Sequence, residues 1–228
     1  MRKQIKLAAL AVATGLVAAS VQAASYPNGD LIVGFTSASG NDLVYDLGSE
    51  SSLVNLDSWD LSSLLGSFTL TSVNWGVIGD STSSHTLYTT TDGSYTPATF
   101  TSIGLVTKLN GATQTIYNNF SAAGEGDSAS IDSSSTSSWN LETLNPGTGP
   151  NQYQNAYENP NTVGEVSDFL YSVQNDGSAP ATLGYFSLAS DGVLTFDAVP
   201  EPSTLGLLTG AGLLMVALRN KFRRNQLT

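Results

Sequence analysis

The 228-residue chain predicts a mainly β fold: an antiparallel β-sandwich-like domain with one or two short helices, set between an N-terminal signal peptide and a C-terminal transmembrane helix. Three observations carry this expectation. Short β-branched and aromatic runs recur along the body, separated by clusters of Gly, Asp, Asn and Ser, the pattern of a many-stranded β domain. Near residue 190, Asp191-Gly192 stands between two alternating apolar runs, the strongest short-range hairpin signal. The basic residues lie almost entirely in the two terminal segments, each beside an uncharged apolar run.

The first strand is expected over residues 30–36, a β-branched and aromatic run that reads as buried. A turn at 39–41 leads to a second strand over 41–47, with Leu43, Tyr45 and Leu47 on one face. Over 57–66 the period changes. Trp59, Leu61, Leu64 and Leu65 fall at helical spacing and Gly66 follows as a stop, so a short helix is expected there. Strands follow over 69–78 and 86–90, with Gly79-Asp80 and a Ser/Thr turn between them. Residues 99–109 fit either a strand or a helix, and 112–122 read as helical through Ile116, Tyr117 and Phe120. Residues 124–138 (Ser, Asp and Gly) and 145–161 (Pro, Asn and Gly) read as loops. Trp139 lies between them and is expected to pin this excursion to the core. Strands over 168–173, 183–189 and 193–198 close the body.

The two ends read as addresses. In residues 1–23, Arg2, Lys3 and Lys6 precede an apolar stretch over 7–17, and Val21-Gln22-Ala23 supplies a small-residue cleavage pattern after Ala23. Residues 199–228 open on Val199-Pro200-Glu201-Pro202-Ser203-Thr204, where two prolines enforce an extended entry. An uncharged run over 205–218 follows, 14 residues long, or about 21 Å as a helix at 1.5 Å per residue. That is short for a span, but Arg219, Lys221, Arg223 and Arg224 behind it can snorkel and form a cytoplasmic basic anchor. The body between, residues 24–198, forms one secreted domain.

The order of Pro-Glu-Pro, apolar helix and Arg-rich end resembles the PEP-CTERM sorting signal of Gram-negative bacteria, over about an eighth of the chain. The resemblance implies recognition by an exosortase, at least transient residence in the inner membrane, and delivery to a cell surface or matrix containing extracellular polysaccharide. Val199, Pro200, Glu201, Pro202 and Ser203 are then acted upon by the processing enzyme. The body also looks like that of other secreted proteins bearing this tail, in its opening Asp-Leu-Ile-Val-Gly-Phe, in the strand from Trp75 to Gly79 and in the approach from Phe196 to the motif. That likeness assigns no activity.

Between residues 24 and 198 there are 18 carboxylates and one lysine, Lys108. Such a field opposes nucleic acid and anionic lipid and reads first as a solvated acidic surface. With no cysteine, disulfides, thiol catalysis and thiolate metal sites are excluded. His85 is the sole histidine, and no serine stands in a nucleophile-elbow context. No cofactor is expected. Glu125, Asp127 and Asp132 share one Gly/Ser loop with oxygen ligands of the kind calcium uses, but without the spacing of a calcium loop. Trp59 and Trp75 sit within periodic apolar patterns and read as core, which leaves Trp139 as the candidate for stacking on a glycan. The expected function is that of an exported, non-enzymatic surface or matrix protein. The alternatives are a glycan-binding adhesin module and a secreted carbohydrate hydrolase, which requires two carboxyl groups facing one cleft.

Overall fold

A computed structural model describes residues 24–36, 40–66, 68, 73–91, 96–121, 124–144, 161–162 and 168–199. The chain runs through β1 (Asp30–Thr36), β2 (Asn41–Ser49), a 3-10 turn (Glu50–Ser52), β3 (Asp57–Asp60), α1 (Ser62–Leu65), β4 (Asn74–Ser81) and β5 (Thr86–Thr91). Then follow α2 (Ile103–Tyr117), β6 (Ser128–Asp132), a π-type turn (Asn140–Leu144), β7 (Asn161–Thr162), β8 (Asp168–Gln174), β9 (Ala181–Leu188) and β10 (Val193–Ala198).

The fold is mainly β and antiparallel, but it is not two stacked sheets. The ten strands among the described residues all belong to one sheet, in the order β3-β10-β9-β8-β5-β4-β1-β2-β6, with the two-residue β7 paired to β4. The sheet curls. Leu47 of β2, one strand in from the β6 margin, and Trp59 of β3, at the opposite margin, join one apolar cluster with Val33, Phe35, Trp75, Val77, Leu170, Phe186 and Phe196. This concave core does for the curled sheet what the space between two sheets does for a sandwich. The predicted sandwich therefore failed at the level of sheet connection, while the alternation of inward and outward residues held.

β1 is central, flanked by β2 and β4, and all seven of its residues are buried. Leu31, Val33 and Phe35 enter the concave core, and Ile32 enters the second cluster on the convex face. That double burial is why its sequence is apolar without alternation. On the convex face, α2 packs on β4 and β5. Val106, Leu109, Ala112, Ile116 and Tyr117 recur at helical spacing on its buried side. One continuous helix thus replaces the ambiguous segment 99–109 and the separate helix expected over 112–122.

Three further expectations give way. Residues 57–66 are not one helix: Asp57–Asp60 is an edge strand whose Trp59 pairs with Leu194, and only Ser62–Leu65 is helical. The spacing of Trp59 from Leu61, Leu64 and Leu65 satisfies both patterns, and pairing with β10 decides between them. β4 does not stop before Gly79-Asp80 but continues to Ser81. The low-complexity stretch 124–138 contains β6, an edge strand registered on β2 from Asn41↔Asp132 to Tyr45↔Ser128. The predicted membrane helix over 205–218, the signal peptide over 1–23 and most of the loop over 145–161 lie outside the described residues. Among the described residues, no helix is long and apolar enough to cross a membrane.

Candidate functional site

The connection from β2 to β3, residues 49–57, links a strand near one margin of the sheet to the opposite margin. It opens a cleft of about 230 Å³ at the seam of the curl. Leu47, Leu53 and Trp59 give the cleft an apolar wall, and Ser52, Ser58, Asp57 and Glu125 give it a polar one. Trp59 is 8 % exposed. Asp57 is half-buried and its Oδ2 accepts the Val54 N–H at 2.7 Å. Glu125 is exposed and lies over Gly48, close enough that a Cβ there would sit 3.2 Å from its own. Two carboxylates, two hydroxyls and an indole on one small opening suit a polyhydroxylated ligand.

A second group of acids is interior. Asp80 of β4 is buried beneath α2, and its carboxylate accepts hydrogen bonds from Thr113 Oγ1 at 2.5 Å and Asn110 Nδ2 at 2.8 Å. Burial nevertheless pushes it up to about 6. Asp30 is also pushed up to about 6, by burial first and then by repulsion from Asp46 and Glu125. Asp46 is buried and accepts the Gly48 N–H at Oδ1 and the Tyr117 hydroxyl at Oδ2, at 2.8 and 2.6 Å. The Tyr26 hydroxyl accepts the Asp80 N–H at 2.9 Å and donates towards the Asp30 carbonyl at 2.5 Å. Burial raises Tyr26 well above the ordinary phenol value. These groups fix α2 and the amino-terminal segment to the sheet, so their work is structural.

Glu142, in the turn Asn140–Leu144, is fully buried with neither oxygen hydrogen-bonded, and burial pushes it up to about 7. Asp42 holds the start of that turn by accepting the Asn140 N–H at 2.6 Å.

Trp139 is not available for stacking. It is 0 % exposed and belongs to the convex-face core, where its ring lies directly on Gly34 of β1. The expectation that Trp139, between the stretches 124–138 and 145–161, is anchored in the core stands, and the expectation that it offers a face to a sugar is overturned. A polar sequence context misled here because the burying surface comes from β1, over a hundred residues away.

Glu125, Asp127 and Asp132 are not gathered round a common point. Asp127 is reached by the Ser121 hydroxyl at 3.3 Å. Asp132 accepts the Ser134 hydroxyl and N–H, at 2.6 and 2.8 Å, which lowers it. Among the described residues, no three His, Asp or Glu side chains are placed to hold a metal ion. His85 ends an exposed turn with φ 53°. Of the sorting motif, Val199 is described: its N–H donates to the Leu183 carbonyl at 3.0 Å and the residue is 40 % exposed. Pro200, Glu201, Pro202 and Ser203, the anchor residues Arg219, Lys221, Arg223 and Arg224, and Ala23 lie outside the described residues. No protein-family model, curated protein or solved structure matches this chain.

Proposed function

We propose that this chain is an exported, non-enzymatic cell-surface or extracellular-matrix protein, sorted by an exosortase through its C-terminal tail. The observation that carries the reading is the unbroken succession of Pro200-Glu201-Pro202, an uncharged run and Arg219, Lys221, Arg223 and Arg224 at the end of the sequence. The basic end is retained on the cytoplasmic side, which puts the acidic β domain outside. Its precursor is anchored in the inner membrane and its product belongs to the surface or matrix. The manner in which the body meets the tail supports this. Val199 prolongs the β10 pairing and is exposed, so the motif begins at the edge of the folded domain. Fractionation of cells producing the full chain, and a chain ending at residue 198, tests the reading. The full chain should pass through a membrane-bound precursor and the shortened chain should not. Equal membrane retention of both, or a mature mass that still includes residues 1–23, would refute it.

The seam cleft favours a second reading, the secreted carbohydrate hydrolase, because Asp57 and Glu125 line one opening. It ranks second on their surroundings. Asp57 Oδ2 is already engaged by the Val54 N–H at 2.7 Å, and Glu125 is exposed rather than enclosed with it. Release of reducing ends from a soluble glucan by the full chain, lost in both Asp57→Asn and Glu125→Gln, would put this reading first.

A further inference from the structure

The convex face of the sheet carries a second set of features. α2 packs on β4 and β5. Further along that face, the register places Phe169 of β8, Tyr185 of β9 and Asp197 of β10 in one cross-strand row. Tyr171 follows Phe169 along β8. The Phe169 ring centroid lies 6.4 Å from that of Tyr171 and 6.4 Å from that of Tyr185. All three rings are half-buried rather than enclosed. Beside them, Ser187, Thr195 and Ser58 form a row of hydroxyls by the pairings Thr195↔Ser187 and Thr195↔Ser58.

An aromatic pair across two strands is ordinary sheet stabilisation. This arrangement adds a third ring on the same face, a flanking row of hydroxyls and a carboxylate. The body's single lysine stands on α2, so the field of this domain repels anionic polymers. Three large rings, two of them phenols, beside a row of hydroxyls and a carboxylate match a ligand that is apolar on its ring faces and polar on its rim. We propose that this face binds a single chain of a neutral polysaccharide, with Phe169, Tyr171 and Tyr185 stacking on its sugars and Ser187, Thr195 and Asp197 meeting its hydroxyls. The ring planes are turned 49° and 64° from one another, so the platform is stepped and suits a soluble, twisted chain rather than a flat crystalline surface. A second copy of the chain is the lesser fit, because the acidic domain repels its like and the hydroxyl row lacks the apolar core of a homodimer interface. The inference deepens the surface-protein reading by naming a partner, and rests on that reading only for where the partner is met.

The test is affinity electrophoresis of the full-length chain in a polyoxyethylene detergent, through native gels containing hydroxyethylcellulose, dextran or alginate. At least one neutral polymer should retard it and alginate should not. Phe169→Ala with Tyr185→Ala should weaken retardation at least tenfold while the thermal transition stays sharp. Ser187→Arg with Thr195→Arg, which blocks the face without removing a ring, should do the same and covers the case in which the first pair fails to fold. The inference is overturned by no retardation in either neutral polymer, by equal retardation of a folded double variant, or by a dimer of the wild-type chain that the double variant abolishes. Cell fractionation does not enter this assay, so its outcome is separable from that of the sorting reading.

Discussion

Gly34→Ala should destabilise the domain, although alanine normally improves on glycine inside a strand. A Cβ on Gly34 would overlap Cδ2 and Cε3 of Trp139, and even Cε2 would lie at 2.5 Å, against the 3.4 Å at which ordinary contact begins. Neither partner has room to retreat, since β1 is paired on both sides and Trp139 is fully buried. Overpacking of this kind costs about 1–3 kcal/mol. Trp139→Ala alone removes a large buried ring and should cost about 3–5 kcal/mol. In the Trp139→Ala background the sign of the first substitution should reverse. Gly34→Ala then enters open space and gains about 0.5–1 kcal/mol, the usual advantage of alanine over glycine in a strand interior. Urea unfolding of the full-length chain and its three variants, followed by far-ultraviolet circular dichroism, gives the cycle directly. A Gly34→Ala midpoint at or above that of the wild type, or strict additivity in the double variant, would refute the placement of Trp139 on β1.

Stability should rise as pH falls from 8 to 5. Asp80 and Asp30 stand at about 6 and Glu142 at about 7 in the folded chain, above their ordinary values, so the folded state binds more protons than the unfolded state across this range. Their ionisation therefore opposes folding, and the penalty is removed as each is protonated. For Asp80 the rise from 3.8 to about 6 corresponds to about 3 kcal/mol at most. A melting temperature that falls steadily from pH 8 to pH 5 in high salt, where self-repulsion is screened, would contradict this. Thr113→Val removes a donor from the buried Asp80 carboxylate and should cost about 1–3 kcal/mol at pH 8 and less at pH 5, by urea midpoints at the two values. Gly192→Ala should also destabilise, since Gly192 has φ 89° and a Cβ there would lie 2.8 Å from Ser62 Cα; a neutral midpoint would count against that turn.

The parts legible in the sequence were those whose partners are near in the chain or whose burial is symmetric. β1 announced itself by an apolar run buried on both faces, and the β9–β10 hairpin by Asp191-Gly192. β3 and β6 were hidden for a different reason. Both are short edge strands made largely of Ser and Asp, and each exists because a strand distant in sequence offers it a ladder: β10 for β3, β2 for β6. No local pattern contains that information. The same holds for the seam cleft, where Trp59 and Glu125 meet only because the sheet curls, and for the aromatic face, where Phe169 and Tyr185 join through cross-strand register.

Charge is where composition alone misleads most. Read as a sum, 18 carboxylates against one lysine suggest a uniformly solvated acidic surface. Six of those carboxylates, Asp30, Asp42, Asp46, Asp80, Glu142 and Asp168, are instead buried. With one lysine in the body, buried acids here cannot in general be balanced by cations. Asp46 and Asp80 are held by hydroxyl, amide and backbone donors, and Glu142 has no hydrogen bond. Neutral donors soften the cost of burying a carboxylate but do not cancel it, which is why Asp80 is raised despite two good hydrogen bonds. The interior of this domain is therefore under electrostatic load at neutral pH. A protein built this way is most stable where its surroundings are mildly acidic, and an acidic polymer that concentrates protons around it would stabilise it without touching it.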